Sequence, residues 1–567
     1  MKRYPSIDFL RGLAIFLMVY LHTFMRWFDR DTFIDIAFNE GVPLFFIILL
    51  VLSLFFGSWA GFFLMVSAMG NMISMYKGLE KGNTVKQLVL KQIIGGILLL
   101  VFAYLTEGII GYHGALGDFV ESGSWSWDIF WTRGYHMETI HAVAWCVILN
   151  GIVQGLLSIN GGWKKIKRNI KIYAILAILV IVATQFVWWG FDALVDGNFS
   201  VGNDPLTGTR WQRGDWRILP WYENILRIFW QPWAGEVEPL FPFLSVSFIG
   251  SILGLYLMKR KDEPENTDTS WLKKVILIGA LMLIIGAILV LVFALTSGAD
   301  PIDFILDLLT NAFNITRLED LYPLASGFNP VWLPYFIFIT GSQLGAIALI
   351  IRLVEFRGKG KKFAEKTIFF RRFGFVAFSI YNYQFIDVLP AFLLGLLPMF
   401  PTYSGLYTFN VWQIWFLLIG IFLLWYIVLK LWEKANYAFG LEWCIAKLSE
   451  IFIPVKRAEK GERLLWWKTK RLDPQASLYD AEWIDIIEED KIDHNNLKES
   501  KLSQKLALCG IIFFPCFFLA INIAKGAEKS EGKNKYNSRG KIIGIIGAII
   551  FIALIVALAI IPSSILF

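Results

Sequence analysis

Long apolar runs, separated by shorter polar or aromatic segments, recur along the whole chain. Most of them reach the roughly 20 residues that a helix needs to cross a bilayer. The runs are continuous and do not alternate with a period of two, so they predict spanning helices rather than barrel strands. The sequence therefore predicts an all-α, polytopic helical membrane protein. The predicted spans of its main part are 9–27, 59–76, 88–106, 136–157, 171–190, 241–258, 272–296, 331–353, 373–397 and 411–432.

The C-terminal part of the chain has a different composition. Residues 451–503 are charged and interrupted by Pro and Asp, and we interpret them as a cytoplasmic polar linker. Two further apolar runs, 505–524 and 541–562, flank a loop rich in Lys, Gly and Asn. We therefore predict a core of about ten helices over 1–450, the linker, and a two-helix membrane hairpin over 504–567.

One apolar stretch, 42–56, does not fit this series of spans. A further crossing at this point would place the later basic loops on the opposite side of the membrane. We expect a re-entrant or interfacial segment. An extension of the 59–76 helix, bent at Gly57 and Ser58, is the alternative.

Basic residues are concentrated in every second loop. The intervening loops, 107–135, 191–240, 297–330 and 398–410, are acidic, aromatic or poor in Lys. The positive-inside rule then predicts a multi-pass protein of the cell membrane with a cytoplasmic N-terminus. The net charge of +7 therefore reports topology, and we expect no nucleic-acid partner. The basic clusters are Lys2/Arg3, Lys77/Lys81/Lys86, Lys164/Lys165/Lys167/Arg168, Lys259/Arg260/Lys261, Arg357/Lys359/Lys361/Lys362 and the residues from Lys434 onward.

Ionisable residues in the first span are the strongest candidates for a functional site, since charge inside a bilayer is costly. Arg11 lies near the start of the span and His22 lies eleven residues later, about 16 Å along a helix axis. We interpret His22 as functional, because imidazole accepts a proton near neutral pH; an interhelical hydrogen bond is the alternative. Arg11 could instead extend to the lipid headgroups. For Asp8 we favour a structural role as a first-turn acid, with Ser6 as the helix cap.

Two further histidines lie at the outer end of the fourth predicted span. His136 and His141 flank Glu138, and His141 lies about one turn inside the membrane, at the depth of His22. A spacing of five residues is poor for shared metal ligands, and the four cysteines have no metal-ligand spacing, so we expect no metal. For His141, membership of the site and structural packing remain equal alternatives.

Several polar residues near other spans could contact a substrate. Glu236 and Glu238 precede the sixth predicted span, and they end a loop in which tryptophans, carboxylates and arginines are mixed. Such a loop suits a sugar; an interfacial aromatic belt is the alternative. Tyr381, Asn382 and Gln384 lie within the ninth predicted span, where they could line a channel or form interhelical hydrogen bonds.

The start of the first span also resembles a family signature. The segment 7–12, IDFLRG, followed by His22, is similar to the opening motif of membrane acyltransferases of the acyltransferase-3 family. Five later stretches resemble, in the same order, motifs of that superfamily, which includes the heparan-alpha-glucosaminide N-acetyltransferases. Together they cover about residues 1–450. They are WAGFFLMVSAMG (59–70), METIHAVAWCVIL (137–149), EPLFPFLSVSFIGSILG (238–254), FGFVAFSIYNYQF (373–385) and FGLEW (439–443).

The chain departs from these motifs at two places. The glucosaminide enzymes carry Asn where His22 stands and place their proposed catalytic His in the next outer loop, whereas residues 28–58 contain no His. FGLEW lacks the Pro of the related GPLEW motif. At His22 the chain is therefore similar to the acyltransferase-3 pattern.

The resemblance implies an integral membrane O- or N-acyltransferase. Its donor would be cytoplasmic acetyl-CoA or another acyl-CoA, and its acceptor a hydroxyl or amine of an extracytoplasmic glycan or glycolipid. Arg11 and Asp8 would bind the donor, and His22 would act as general base or transient acyl carrier, with His141 as second catalytic candidate. The candidate substrate-binding residues are Glu138, Glu236, Glu238, Tyr381, Asn382 and Gln384.

The expected partners of such an acyltransferase are acyl-CoA, the bilayer and the acceptor, and the chain could form a homo-oligomer.

Other functions fit the same pattern. A secondary transporter of a small polar or anionic solute is the main alternative, because polar residues in broken helices also line transport paths. A membrane sensor or scaffold is a third.

Overall fold

The protein forms two compact units in a computed structural model. One comprises Met1–Phe28 and Leu54–Ile486, and the other comprises Asp29–Ser53 and Ile487–Phe567. The structure describes residues 2–29, 52–53, 55–56, 59–110, 114–122, 125–127, 139–194, 232–233, 238–262, 268–296, 304, 308, 332–400, 408–410, 412–452, 473–487, 497–510 and 514–560.

Helices make up most of the described chain. Two short strands, β1 (Lys2–Arg3) and β2 (Glu482–Trp483), pair in parallel. The helices of the first unit are α1 (Pro5–Trp27), α2 (Ala60–Glu80), α3 (Val85–Ile109), α4 (Ala115–Ser122), α5 (Thr139–Ser158), α6 (Ile166–Leu194), α7 (Leu240–Lys261), α8 (Ser270–Thr296), α9 (Trp332–Val354), α10 (Gly360–Lys366), α11 (Ile368–Phe375), α12 (Ala377–Asn382), α13 (Val388–Gly395), α14 (Gln413–Lys434) and α15 (Leu441–Phe452). Those of the second are α16 (Lys498–Cys509), α17 (Pro515–Ser530) and α18 (Lys535–Ile560).

The all-α, multi-pass prediction is confirmed. Within the described residues, nine helical segments are long and apolar enough to cross a membrane. Eight belong to the first unit: α1, α3, α5 with its 3₁₀ extension to Lys164, most of α6, α7, α8, α9 and α14. The ninth, Lys535–Leu554, belongs to the second.

Helix α2 corresponds to the predicted span 59–76 but is not among the nine. Between Gly61 and Tyr76 all its residues are buried except those of one stripe. The stripe consists of Ser67, Gly70 and Asn71, which are half-buried, and Ser74, which is exposed. Helices α1, α5 and α7 cover its other faces. A stripe that faced lipid would be apolar, so small polar residues here indicate a water-accessible space.

The predicted span 373–397 is not one helix. The chain forms α11, α12, a 3₁₀ turn at Gln384–Asp387, and α13, with non-helical backbone angles at Val376 and Tyr383. Hydropathy could not reveal these interruptions, because the run remains apolar throughout. The broken segment packs along α1 and places polar side chains inside the helical bundle.

Part of the predicted linker 451–503 belongs to the first unit. Segment 473–486 pairs its strand with the N-terminal strand, and Asp485 accepts the Gly360 N–H at 2.9 Å. Arg371 donates to the Leu478 carbonyl at 2.9 Å and lies over the Trp483 ring at 4.6 Å. This segment therefore closes over the end of the bundle where α1 begins.

The predicted apolar run 505–524 is divided between two helices. Helix α16 ends at Cys509, and α17 begins at Pro515, which cannot donate to a continuing helix. The second unit therefore contains three described helices, of which α18 includes the candidate span. Glu531 caps α16 by accepting the Glu499 and Ser500 backbone N–H groups at 2.8 and 2.9 Å.

Gly12 generates a stability prediction. A Cβ atom there would lie 1.7 Å from the Phe370 carbonyl oxygen, so Gly12→Ala must separate α1 from α11. Overpacking of this kind costs about 1–3 kcal/mol. Gly95→Ala is the matched control, since nothing lies within 4 Å of its added methyl group and alanine favours the helix. We expect thermal unfolding in detergent to show a lower midpoint for Gly12→Ala alone. Equal midpoints would contradict this packing.

Candidate functional site

The centre of the candidate site joins α1 to the broken helix. His22 Nδ1 lies 2.5 Å from Gln384 Oε1, and the Tyr381 ring meets the imidazole edge-on at 6.2 Å between centroids. Three residues that the sequence singled out separately are thus brought together, although 362 positions separate His22 from Gln384.

The hydrogen bond fixes the chemistry of the imidazole. An amide oxygen only accepts, so Nδ1 of His22 is the donor, and in the neutral imidazole Nε2 carries the lone pair that can take a proton. Gln384 is 1% exposed, and its Nε2 atom has no hydrogen-bond partner among the described residues. The pair is therefore an oriented base beside an unused buried donor.

Asn382 takes the interhelical role that the sequence left as its alternative. The Thr106 hydroxyl of α3 donates to Asn382 Oδ1, and Asn382 Nδ2 donates to the Phe378 carbonyl at 2.8 Å. Both ends of the amide are used, and the residue is fully buried. Asn382 thus fixes α12 to α3.

Sequence reasoning missed Asp387, which lies in the same break. Trp425 of α14 donates its indole N–H to Asp387 Oδ1 at 3.2 Å, and buried Arg26 provides a nearby positive charge. A charged residue within the predicted span 373–397 was the signal that could have identified it.

Glu442, the acid of the FGLEW motif, caps α12. Its Oε1 accepts the Phe378 N–H at 2.6 Å, and its Oε2 accepts the Ser379 hydroxyl at 2.5 Å. Burial raises the pKa of Glu442, while these hydrogen bonds and the nearby Arg11 oppose the rise. The first backbone N–H groups of α12 therefore find their hydrogen-bond acceptor in Glu442, which lies in the helix after α14.

Arg11 lies at the other end of the site and is half-buried. It forms no hydrogen bond or ion pair with the residues that the structure describes, and its nearest opposite charges are Asp8 and Glu442. Asp8 is instead held by Arg3, through bonds of 2.8 and 2.7 Å to its two oxygens. Asp8 is thus engaged in an ion pair within the protein, and Arg11 remains available to an anion.

The cap predicted for α1 at Ser6 is wrong. Tyr4 occupies the N-cap position without a side-chain bond. Ser6 lies in the first turn, and its N–H and hydroxyl donate to Glu355 Oε1 at 3.0 and 2.6 Å. Glu355, which directly follows α9, is fully buried and supplies from a distant helix the acceptor that a local cap would have supplied.

The other predicted residues lie in or beside other helices, or outside the described residues. His141 is fully buried in α5, with its ring 4.6 Å from that of Tyr104. Glu238 is buried just before α7. Glu138, Glu236 and most of the 42–56 segment lie outside the described residues.

A polar network lies beside the stripe of α2. Asn150 of α5 donates to Ser247 and Ser251 of α7 at 3.0 and 2.7 Å. Next to it is a small cavity, of about 10 Å³, lined by Ser67 and Asn71 of the stripe and by Asn150 and Ser247. This volume accommodates about one water molecule. The stripe is therefore continuous with buried polar groups.

Comparison with known proteins does not identify the chain. A scan against protein-family models and a search of curated proteins found no match. The acyltransferase resemblance therefore remains a prediction. Among the described residues, no three His, Cys, Asp or Glu side chains are grouped so that they could hold a metal ion.

Glu355 generates a prediction about pH. Burial raises its pKa from 4.5 to about 8; Asp485 and Asp8 add to the rise, and the Ser6 hydrogen bonds oppose it. Because the folded state binds this proton more tightly, the stabilisation is complete below about pH 4.5 and is lost as the pH rises to about 8. We expect the wild-type melting temperature to fall between pH 5 and 8.

Glu355→Gln tests the origin of this fall. Glutamine keeps an acceptor for Ser6 but cannot ionise, so the variant should lose much of the dependence. Glu482→Gln, which removes an exposed carboxylate near the start of α1, should keep the wild-type pH dependence. Parallel curves for wild type and Glu355→Gln would show that Glu355 is not the titrating group.

Proposed function

We propose that the protein transfers an acyl group, most simply acetyl, from acyl-CoA to a hydroxyl or amine at the opposite face of the membrane. The observation that supports this most directly is the His22–Gln384 pair, an oriented imidazole inside a membrane span. General-base help from a positioned His is a common requirement of acyl transfer. A glycan or glycolipid is the acceptor that the sequence resemblance suggests.

Arg11 and His22 lie on the same face of α1. Eleven residues correspond to three turns plus about 20°, and to a rise of about 16 Å. Both side chains are half-buried, as is Met18 between them. Ile15 on the same face is 4% exposed, so this face is a partly covered strip between a cation and a base.

A thin linear donor would fit such a strip. The CoA phosphates would pair with Arg11, and the pantetheine arm would extend along α1 toward His22. Phosphate groups are well suited to an unpaired guanidinium.

The reaction assigns one role to each group. His22 Nε2 removes a proton from the acceptor hydroxyl or amine, whose heteroatom then attacks the thioester carbonyl carbon. Collapse of the tetrahedral intermediate breaks the C–S bond, and the CoA thiolate takes up the proton from His22. The base is regenerated without any further reactant.

A secondary transporter is the alternative that the broken helix favours, because such helices line transport paths. The polar side chains of this break are largely committed, however: Asn382 bonds to α3 and Asp387 to α14. A fixed constellation suits catalysis better than alternating access does.

The reaction requires that the start of α1 faces the cytoplasm. Cysteines introduced one at a time at Lys81 and Asn410, both exposed and near opposite ends of the first unit, test this in a background without the accessible Cys444 and Cys509. We expect a membrane-impermeant maleimide to label position 410 in intact cells and position 81 only after permeabilisation. Labelling of both from outside would contradict the orientation.

The His22 and Arg11 variants should affect different steps. His22→Asn removes the base, so kcat should fall about 10²–10⁴-fold with acyl-CoA binding retained. Arg11→Gln removes a charged partner of phosphate, so the Kd for acyl-CoA should rise about 10–100-fold, with a weaker salt dependence. Calorimetric binding and transfer from radiolabelled acetyl-CoA measure the two effects.

Arg539→Gln provides the control for Arg11. It removes the same charge from an exposed position in α18 and should change neither quantity. Near-wild-type turnover in His22→Asn would remove His22 from the reaction. The absence of acyl-CoA binding by the wild-type protein would refute the proposed function as a whole.

A further inference from the structure

Among the described residues, only one end of the Gln384 amide has a hydrogen-bond partner. Its oxygen accepts the His22 Nδ1–H at 2.5 Å. Its Nε2 atom is buried without a hydrogen-bond partner among the described residues, in a side chain that is 1% exposed. A buried donor without an acceptor is destabilising and uncommon. An acceptor supplied by a ligand would complete it.

We infer that Gln384 Nε2 binds the acyl carbonyl oxygen during transfer and stabilises the oxyanion of the tetrahedral intermediate. This inference rests on the proposed function and adds a catalytic residue to it. A donor that is placed before the reaction and aimed at developing negative charge is among the strongest contributions to catalysis.

The position of the donor follows from one planar group. Oε1 and Nε2 belong to the same amide, and the bond to His22 fixes the rotation of that amide. The unused donor therefore lies beside the imidazole. A general base and an oxyanion donor on neighbouring side chains are the two groups that acyl transfer requires.

The neighbouring residues keep this amide in place. Asn382, two residues before Gln384, is bonded to Thr106, and Asp387, three residues after it, is bonded to Trp425. Gln384 begins the 3₁₀ turn between these two anchors. The donor is thus held on both sides, so that little rearrangement is needed when charge develops.

The electron and proton movements balance. As the acceptor heteroatom attacks, its proton moves to His22 Nε2, and the carbonyl π electrons move to the oxygen, which accepts the Gln384 Nε2–H. When the carbonyl re-forms, the C–S bond breaks and the thiolate takes the proton from His22. Gln384 gains and loses no proton.

Two variants separate the two ends of the amide. Gln384→Glu keeps an acceptor for His22 but lacks the donor, and kcat should fall about 10²–10³-fold. Gln384→Met lacks both, and kcat should fall at least as far. The Kd for a non-reactive thioether analogue of acetyl-CoA should stay within threefold of wild type in both, because the donor acts on the transition state.

Gln343→Glu is the matched control, since Gln343 of α9 is also 1% exposed and its amide has no partner among the described residues. It should retain kcat within about twofold. In every variant kcat is expressed per folded protein, and the folded fraction is taken from thermal melting in detergent. If burial of a carboxylate unfolds Gln384→Glu, neutral Gln384→Met still tests the inference, because a wild-type kcat in that variant overturns it.

The outcomes distinguish this inference from the proposed function. Wild-type kcat in Gln384→Met, or equal losses of analogue binding and of kcat, would overturn the role of Gln384 and leave acyl transfer standing. A wild-type protein that neither binds the analogue nor transfers acetyl would refute the proposed function, and this inference with it.

Discussion

An interrupted helix inside a membrane must obtain partners for its polar groups, and this requirement organises the first unit. The backbone N–H of Phe378 is satisfied by Glu442, from a helix that follows 64 positions later. Beyond it, Asn382, Gln384 and Asp387 bond to α3, α1 and α14. The break is therefore held by side chains from four helices, and the contact between Gln384 and His22 is one of these attachments.

A second set of constraints acts where α1 begins. The Arg3–Asp8 pair keeps the one acid of the first turn occupied, and the Ser6–Glu355 bonds replace a local cap. Strand β1, paired with Glu482–Trp483, holds this end in register. Arg11 is consequently left without a bonded carboxylate among the described residues, although two acids are near. A positive group with this freedom is what a polyphosphate would require.

The sequence predicted the helical class, whereas the grouping of the candidate residues is visible only in the structure. Continuous apolar runs are sufficient to predict spanning helices, and the cost of burying ionisable groups made His22 a candidate. The pairing of His22 with Gln384 could not be predicted, because no local pattern relates positions so far apart. The interruptions at Val376 and Tyr383 could not be predicted either, because they depend on tertiary contacts. Hydrogen bonds from other helices compensate for the backbone hydrogen bonds that an unbroken helix would have formed. The same reason explains Glu442, whose role depends on a helix distant in sequence.

Close packing links these constraints to the chemistry. Gly12 of α1 lies so near the Phe370 carbonyl that no side chain fits, and a Cβ at Gly374 of α11 would lie 2.7 Å from the Gly12 nitrogen. Helix α1 is thus pressed against the broken helix by backbone contact, which leaves little room for sliding. Since packed interiors resist small displacements, the imidazole and the amide keep their mutual geometry without a ligand. A site preorganised in this way favours stabilisation of one transition state over alternating exposure of a solute, which supports the enzyme over the transporter.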